Sequence, residues 1–343
     1  MTISVGLVGF GYAARVLHRP LILACGMHVA GVVSRHPEVV HAVLPTTPVF
    51  PDVESLLHLP GLDVVVIATP NDLHEQQAMT ALGAGKVVLV EKPLTPSTGA
   101  ADRLIQAADR GRGLLSVFHN RRWDSDFLTV RRVIDSDALG AIHTYEARWN
   151  RYRPEVLDRW REHAAHGGGV LNDLGTHLID QALLLFGNPE LVQADVFCQR
   201  VNAIVDDAFE LRMGIGKLRI ILSANCLSAD PGSRFRVHGE RGSYCKSGLD
   251  VQEDQLRSGL SPQDPEFGRE PDTQCGSLTQ RDSAGSNGVP SERGNWLGFY
   301  TGLRACVERG APPPVLAADA REGLRIIEAA RQSSESGMRI QLR

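Results

Sequence analysis

Short aliphatic runs alternate with helical stretches through the first third of the chain. The run at 64–67 is apolar at every position, which is typical of a central strand covered on both faces. Regular alternation of strands and helices favours right-handed crossovers and therefore a doubly wound parallel sheet of the α/β class. The clearest strands are residues 3–8, 29–33, 63–68, 87–90 and 114–118.

Beyond residue 135 the pattern changes. Apolar alternation continues, but helices no longer separate successive strands, which favours a mainly antiparallel sheet in a second domain of the α+β class. Helices are predicted at 124–135, 170–186, 296–309 and 318–335. The strands predicted for this sheet are 141–150, 191–201, 207–214, 217–226 and 233–238.

The length of the chain also favours two domains, since 343 residues exceed what one core usually organises. We place the boundary after residue 121, so that the parallel sheet occupies 1–121 and the antiparallel sheet 122–343. Residues 258–295 are rich in Gly, Ser, Pro, Asp and Gln and poor in large apolar side chains. This composition predicts a long irregular segment at the surface.

The charge balance narrows the classes of partner. The chain has 36 basic and 40 acidic side chains, a net charge of −4 and no basic run, so we expect neither nucleic acid nor an anionic membrane as partner. The N-terminus enters an aliphatic strand without the features of a secretory signal, and apolar stretches fall short of the ~18 residues of a membrane span. We therefore expect a cytoplasmic protein.

The cysteines bear on metal and disulfide chemistry. The six cysteines are scattered and form no Cys-x-x-Cys pair. This spacing argues against a zinc site or a disulfide framework, so we expect reduced, structural thiols and no metal.

The first predicted strand runs into a Gly-x-Gly-x-x-Ala turn and a helix. Gly9 permits the tight turn, Gly11 lets the backbone approach a pyrophosphate, and Ala14 takes the close-packing position usually held by glycine. The alternative is a strand-to-helix turn built of small residues, but the place of the turn at the first strand of a βαβ pattern favours a dinucleotide at the helix N-terminus. The expected contacts come from Gly9, Phe10, Gly11, Tyr12 and Ala13.

The second predicted strand ends in Ser34 and Arg35, where an NAD-selective site usually presents a carboxylate to the ribose 2′-hydroxyl. Both side chains could instead bind a 2′-phosphate, with charge-assisted contacts from the guanidinium. This favours NADP as the cofactor. NAD is the alternative if Arg35 is only an exposed loop residue.

Further candidates follow other strands of the parallel sheet, whose carboxyl edge is where ligands bind. His74 is a candidate for lining the cofactor, although a surface histidine at the start of a helix would give the same pattern. The candidates at this edge are Thr69, Pro70, Asn71, His74, Glu91 and Lys92.

Three residues suggest catalysis. Lys92 stands at the end of an aliphatic strand, and Asp173 and His177 lie four residues apart on one face of a predicted helix. An ion pair of Lys92 with Glu91 is a poor alternative, because neighbours on a strand point to opposite faces. A carboxylate near a helix N-terminus and a polar histidine could also serve the helix alone. As a set, the three indicate proton transfer beside a hydride-accepting cofactor.

These motifs resemble the Gfo/Idh/MocA family, which includes glucose–fructose oxidoreductase and inositol dehydrogenase. The Gly-x-Gly turn, Glu91-Lys92-Pro93 and Asp173-x-x-x-His177 occur in the order of that family over nearly the whole chain. Residues 116–124 and 150–162 are similar to its NADP-dependent scyllo-inositol 2-dehydrogenase branch.

The resemblance implies reversible oxidation of a secondary hydroxyl on a cyclic polyol or sugar, without a metal. His177 would be the general base, Asp173 would orient the substrate or the imidazole, and Lys92 would bind the reacting oxygen. A cis Lys92–Pro93 bond and a homo-oligomer are also implied. Implied contacts are Asn120, Trp160 and Arg161 with the cofactor, and Arg122, Trp123, Asn150 and Tyr152 with the substrate; for residues 120–123 a surface capping role is the alternative.

Two other activities fit the same fold. Some relatives are glycosidases that use NAD transiently, and others are nucleotide-binding sensors without net redox turnover. The presence of Lys92, Asp173 and His177 argues against a sensor, and the branch motifs give a glycosidase no support.

Overall fold

The structure is a computed structural model that describes residues 2–157, 162–163, 167–281, 283 and 285–342. It divides into two compact units. Over these residues, no helix combines the length and the apolar character that crossing a bilayer would require.

The first unit comprises Met1–Asn120, Gln252–Phe267 and Asn295–Arg321. It contains a six-stranded sheet in the order β3-β2-β1-β4-β5-β6, in which every neighbouring pair is parallel. The prediction of a doubly wound Rossmann-type sheet is therefore confirmed. The strands are β1 (Ser4–Val8), β2 (His28–Val33), β3 (Val49–Phe50), β4 (Leu62–Ile67), β5 (Val87–Val90) and β6 (Leu114–Val117).

The order of these strands locates a binding edge. Chain order reverses between β1 and β4, which lie side by side although β2 and β3 come between them in sequence. In open parallel sheets, ligands bind at the carboxyl ends of the strands beside such a switch point. The loops after β1, β4 and β5 therefore share one edge.

Helices of the first unit flank this sheet. Three of them begin at side-chain caps: Asp52 accepts from the Ser55 amide at 2.8 Å, Ser97 from the Ala100 amide at 3.3 Å and Asn295 from the Gly298 amide at 3.0 Å. A π-helical turn, Ala13–His18, leads into the first α-helix. The helices are α1 (Arg19–Ala24), α2 (Pro37–His41), α3 (Val53–Leu57), α4 (His74–Gly83), α5 (Thr98–Arg110), α8 (Gln252–Arg257) and α9 (Trp296–Arg309).

The second unit comprises Arg121–Val251, Gly268–Gly294 and Glu322–Arg343. Its described strands form a sheet in the order β14-β13-β12-β11-β7-β10-β9-β8-β15, in which β7 and β10 pair in parallel and the other neighbours are antiparallel. This confirms the mainly antiparallel sheet. The strands are β7 (Ile142–Asn150), β8 (Leu191–Phe197), β9 (Ala208–Ile215), β10 (Leu218–Asn225), β11 (Ser233–Gly239), β12 (Gly242–Ser247), β13 (Gly276–Gln280), β14 (Ser286–Val289) and β15 (Ile340–Gln341).

Alternation along the strands creates the core of this unit. On β10, Ile220, Leu222 and Ala224 are buried while the residues between them are partly exposed. The helices of this unit are α6 (Ser125–Asp135) and α7 (Thr176–Phe186), which follows a π-helical turn at Leu171–Gly175. Helix α10 (Ala317–Ser336) runs from the first unit into the second.

Residues 258–295 differ from the predicted irregular surface segment. They contain β13 and β14, and they supply Glu270, whose buried carboxylate lies 2.7 Å from the buried ammonium of Lys246. Strands at the edge of a sheet are held by main-chain hydrogen bonds and need few apolar side chains, so composition alone hid them. The pairing with Lys246 joins residues 24 apart in sequence, beyond the reach of a local pattern.

The unit boundaries also differ from a single division after residue 121. Residues 252–267 and 295–321 belong with the first unit, although they lie within the predicted second domain. Buried hydrogen bonds hold them: the Trp296 amide donates to Gln252 at 2.7 Å and joins the two segments, and the Ser116 hydroxyl on β6 donates to the Val315 carbonyl of the second segment at 2.9 Å. Ser116 and Val315 are 199 positions apart, so sequence order gave no sign of this return.

Candidate active site

The backbone conformation of the turn after β1 explains why its first residue, Gly9, is glycine. Gly9 has φ of +89°, and its amide donates to the Val33 carbonyl of β2 at 3.0 Å. A Cβ at this position would come within 2.7 Å of the Ala68 carbonyl oxygen. The fold itself therefore requires glycine at position 9.

At position 11, no contact within the described protein requires glycine. Its φ is not in the left-handed region, and a Cβ built on it would meet no described atom within 4 Å. The space in front of Gly11 is open, which suits a backbone that a pyrophosphate must approach closely. Ala14 is fully buried, as the close-packing position of the motif demands. These residues fit a dinucleotide.

Tyr12, in the same turn, has a partner that the sequence did not suggest. Its hydroxyl donates to the Glu253 carboxylate of α8 at 3.0 Å. Burial, together with the charge and hydrogen bond of Glu253, raises the pKa of Tyr12 to about 12. The phenol therefore stays protonated at neutral pH and ties the turn to α8, which lies 241 positions away in the chain.

The end of β2 carries no carboxylate. The Ser34 hydroxyl accepts a hydrogen bond from the His36 amide at 3.1 Å. Arg35 is exposed and, within the described ranges, forms no ion pair. A guanidinium free of acidic neighbours keeps its charge available to an anionic ligand.

His74, at the start of α4, is fully buried. Its two ring nitrogens lie 3.0 Å from the carbonyl oxygens of Thr69 and Pro93. Burial lowers the pKa of this imidazole. His74 therefore links the loop after β4 to the loop after β5, and the alternative of a surface histidine is wrong. In the first of these loops, the Thr69 hydroxyl donates to Gln77 at 2.6 Å and Asn71 is buried beside Pro70.

Lys92 lies two residues after the end of β5 and is half-buried. Its bond to Pro93 is cis. The Lys92 amide donates to one oxygen of the Glu91 carboxylate at 3.1 Å, and the other oxygen lies 3.0 Å from Nε2 of His18. Burial acts to raise the pKa of Glu91, but the hydrogen bond and charge of His18 and the charge of Lys92 outweigh it, so this pKa is lowered.

Arg122 is engaged by a partner within the second unit. Its guanidinium forms two hydrogen bonds to the Asp180 carboxylate of α7, at 2.6 and 2.9 Å, and both side chains are largely buried. Arg122, which was predicted to contact substrate, thus forms an ion pair with α7. Trp123 beside it is half-buried, and Asn120 is buried at the end of the first unit.

Asp173 and His177 lie at the start of the α7 region, Asp173 in the π-helical turn and His177 one step into the α-helix. Nδ2 of the neighbouring Asn172 donates to the Gly167 carbonyl at 3.0 Å. Asp173 lies 3.7 Å from the Arg151 guanidinium, with each side chain 20% exposed. The sequence reasoning did not select Arg151, although it stands between two residues that were selected.

His177 is buried against an aromatic and cationic cluster. Its ring centroid lies 6.0 Å from that of Trp149 on β7. The guanidinium groups of Arg121 and Arg234 each lie 4.9 Å from the Trp149 ring, within the range of a cation–π interaction. The Arg234 side chain is held by Asp126 at 3.0 Å and Gln181 at 3.1 Å. The indole and these two cations fix the surroundings of the imidazole.

The start of this helix is capped by a carboxylate from a distant loop. Asp206 accepts from the Leu171 amide at 2.7 Å and pairs with Arg331 of α10 at 3.2 Å. A Cβ on Gly169 would overlap the Asp206 carboxylate, so the close approach requires glycine there. Next to it, the buried Arg200 pairs with Asp207 at 3.0 Å and with Glu162 at 2.8 Å.

Two predicted substrate residues lie at the end of β7. Asn150 is half-buried, and its side-chain amide donates to the Pro231 carbonyl at 3.4 Å. Tyr152 is 61% exposed and pairs through its backbone with Leu227. The predicted contacts of Trp160 and Arg161 lie outside the described residues.

Each unit therefore brings together its own set of candidate site residues. The first gathers the glycine turn, Ser34 with Arg35, the loop after β4 and Lys92 along the carboxyl ends of parallel strands. The second gathers Asp173, Arg151 and His177 around one helix start.

Comparison with known proteins agrees with this division. Residues 3–119 match the oxidoreductase family model described as an NAD-binding Rossmann fold, and residues 131–342 match the C-terminal alpha/beta domain of the same family. The chain belongs to the Gfo/Idh/MocA oxidoreductase family. It is an oxidoreductase with an NAD(P)-binding domain, and the first matched region contains both the glycine turn and Lys92.

Individual relatives in the Gfo/Idh/MocA family cover nearly the full chain. The scyllo-inositol 2-dehydrogenase (NADP(+)) IolW of Bacillus subtilis is 39% identical over 99% of this chain and 96% of its own. The oxidoreductase YdgJ of Escherichia coli is 38% identical over 97% of this chain and 96% of its own.

Solved structures agree with the fold. The oxidoreductase yvaA of Bacillus subtilis superposes with a TM-score of 0.96 at 38% identity and covers 100% of this chain and 99% of its own. A levoglucosan dehydrogenase solved with NADH and levoglucosan has a TM-score of 0.82 at 19% identity over 99% of both chains, which shows the shared fold alone.

Proposed function

We propose that this oxidoreductase interconverts a secondary alcohol of a cyclic, inositol-like polyol or sugar with its ketone, and that it prefers NADP to NAD. The observation that carries the proposal is Lys92, whose strand β5 lies next to β4 in the sheet, while β4 lies next to β1 with its glycine turn. An ammonium one strand away from the switch point is within the region where family members of this fold bind ligands.

The proposed roles assign one task to each of three residues. His177 accepts the proton of the substrate hydroxyl, Lys92 binds the oxygen of that hydroxyl, and Asp173 orients the substrate or the imidazole. A bound nicotinamide nucleotide supplies the hydride-accepting chemistry. A positioned general base typically contributes ~10²–10⁴ in rate.

Within the second unit, the surroundings of Asp173 and His177 support these tasks. Arg151 lies 3.7 Å from the Asp173 carboxylate, so the attraction between the two charges helps to hold that side chain in place. The Trp149 ring confines His177 on one side while the helix start holds its backbone. A confined imidazole retains its orientation through the reaction, which general-base catalysis requires.

The preference for NADP rests on Ser34 and Arg35. The guanidinium is exposed and the serine hydroxyl lies at the carboxyl end of β2, where the ribose 2′ position is read in this fold. The name of the relative IolW also specifies NADP(+). We further propose a homo-oligomer with small-molecule substrates, without nucleic acid or membrane partners.

The function is tested by offering the purified protein a panel of inositols and aldoses with each cofactor and following absorbance of the reduced nicotinamide. Oxidation of at least one cyclic polyol or sugar, faster with NADP than with NAD, is the expected result. Turnover of none of them would contradict the proposed substrate class. Release of a glycosidic leaving group without net cofactor reduction would instead indicate a glycosidase.

A substitution tests the cofactor preference separately. Arg35→Asp should shift the ratio of kcat/KM for NADP over NAD by roughly 10- to 100-fold toward NAD, because a hydrogen bond to a charged group is lost and a repulsive charge gained. Arg110→Asp is the matched control, since Arg110 is exposed at the end of α5 and precedes β6 on the opposite edge of the sheet. An unchanged ratio in Arg35→Asp would remove Arg35 from cofactor selection.

A further inference from the structure

A chain of hydrogen bonds runs through the interior of the first unit to the backbone of Lys92. The Tyr300 hydroxyl of α9 lies 2.6 Å from Nδ1 of His18, and Nε2 of His18 lies 3.0 Å from the Glu91 carboxylate. The second oxygen of that carboxylate accepts from the Lys92 amide at 3.1 Å. His18 and Tyr300 are fully buried.

The charge of Glu91 fixes the direction of its bond to His18. The pKa of Glu91 is lowered, so its carboxylate is charged at neutral pH and only accepts hydrogen bonds. Nε2 of His18 must then donate to it at 3.0 Å. Burial and the charge of Glu91 raise the pKa of Tyr300 well above its usual value, so the phenol beside Nδ1 keeps its proton.

Aromatic packing holds the central imidazole in place. The ring of His18 lies 4.4 Å from that of Phe118, and Phe118 in turn lies 5.0 Å from Phe299 in an edge-to-face arrangement. In such an apolar environment an unmet hydrogen-bonding group is costly, so each member of the chain depends on the next.

We propose that Tyr300 and His18 are positioning residues for Lys92: Tyr300 holds the ring of His18 in place, and Nε2–H of His18 orients the Glu91 carboxylate that fixes the Lys92 backbone. The kinetic part of this inference rests on the proposed function of Lys92, whereas donation from Nε2 of His18 to Glu91 does not. We refer to Tyr300, His18 and Glu91 as the relay.

The relay connects two parts of the proposed cofactor site. His18 ends the π-helical turn that begins after the glycine turn, and Glu91 begins the loop after β5. Tyr300 comes from a segment that returns to the first unit from far along the chain. The relay therefore gives α9 a proposed role at the cofactor site in addition to its packing in the core.

Nuclear magnetic resonance of the ¹⁵N-histidine-labelled full-length protein at neutral pH tests the relay without reference to activity. The His18 signals are assigned by their loss in His18→Gln. We expect a protonated Nε2 in the wild type, and a shifted Nδ1 signal in Tyr300→Phe. A wild-type His18 without a proton on Nε2, or an Nδ1 signal that does not move in Tyr300→Phe, would overturn the proposal.

Steady-state kinetics with a polyol that the wild type oxidises test the functional part. Tyr300→Phe should lower kcat about 10- to 100-fold while the KM for NADP stays within about 2-fold, since a misplacement of 1 Å can cost about 100-fold. Tyr244→Phe is the matched control: this phenol is equally buried and its hydroxyl has no hydrogen-bond partner among the described residues. Equal kcat in the two variants would overturn the positioning role.

The two measurements separate this inference from the proposed function. If no polyol or sugar is oxidised, the proposed function fails and the resonance of His18 still decides whether Nε2 carries the donated proton. If turnover is found but Nε2 of His18 carries no proton in the wild type, the relay fails and the proposed function stands.

Discussion

The surroundings of Lys92 and those of Asp173 are built on different principles. Behind Lys92 stands the relay, a buried chain of hydrogen bonds among aromatic rings. Around Asp173 stand ion pairs, several of which are partly exposed. One arrangement depends on exclusion of water, and the other tolerates it.

This difference has consequences for sensitivity to the solvent. Exposed and half-exposed ion pairs contribute little individually and weaken with salt, while a buried chain of hydrogen bonds is screened much less. The second unit also contains buried ion pairs, such as those of Arg200, which is 2% exposed and is paired with both Asp207 and Glu162. Removing one partner of such a buried pair is strongly destabilising.

The largest expected effect comes from removing the proposed catalytic groups themselves. Lys92→Met and His177→Ala should each lower kcat about 10²–10⁴-fold, because each takes away a group proposed to bind or move the proton of the substrate. The dissociation constant for NADP, measured by fluorescence titration, should stay nearly unchanged since the glycine turn is intact. Lys217→Met, at an exposed turn, is the control. Wild-type turnover in either variant would contradict the catalytic role proposed for the residue that it lacks.

A second test addresses the charged surroundings of the helix that carries Asp173. Asp206→Asn should destabilise the protein by about 1–3 kcal/mol, because Arg331 loses its charged partner and the helix start loses a favourable negative charge. Urea unfolding measures the change. Asp195→Asn, at an exposed position on β8, should have almost none. If both variants unfold at the same urea concentration, the cap is not a stabilising element.

The smallest expected effect is a dependence on pH in the relay. The folded-state pKa of Glu91 is lowered, so its contribution to stability is present above the unfolded pKa of about 4.3 and is lost as the pH falls through the folded value. Between pH 7 and pH 3.5 the Tm of the wild type should therefore fall more than that of Glu91→Gln, by a difference on the order of a few degrees.

Calorimetry at several pH values measures this difference, and Glu54→Gln serves as the control because Glu54 is exposed on α3. The control should follow the wild-type curve. Parallel curves for Glu91→Gln and the wild type would show that the carboxylate of Glu91 adds nothing to stability, which contradicts a charged relay.

Much of the fold followed from local patterns. The five strands predicted for the parallel sheet occur within one residue of the predicted limits, because aliphatic runs in a buried parallel sheet are continuous. β3, with two residues, was missed since so short a run has no periodicity. Lys92 lies just beyond the end of the predicted strand, and His177 lies on the predicted helix.

The partners of the candidate residues were harder to predict. Arg122 pairs with Asp180 across 58 positions, and Tyr12 with Glu253 across 241. No local period encodes such pairs, because they arise only when tertiary packing brings separate elements together. His18 was overlooked for the same reason: inside the helix after the glycine turn, its sequence neighbours gave no sign of Glu91 or Tyr300.

The return of residues 295–321 to the first unit affects how this protein can be divided and how it is made. Phe118 is buried because Phe299 and Tyr300 cover it, so a fragment ending at residue 121 would expose that ring and leave His18 without its phenol. On the ribosome, the nucleotide-binding half cannot complete its core until α9 (Trp296–Arg309) has emerged. Recombination that exchanges this half between relatives must therefore carry α9 along with it.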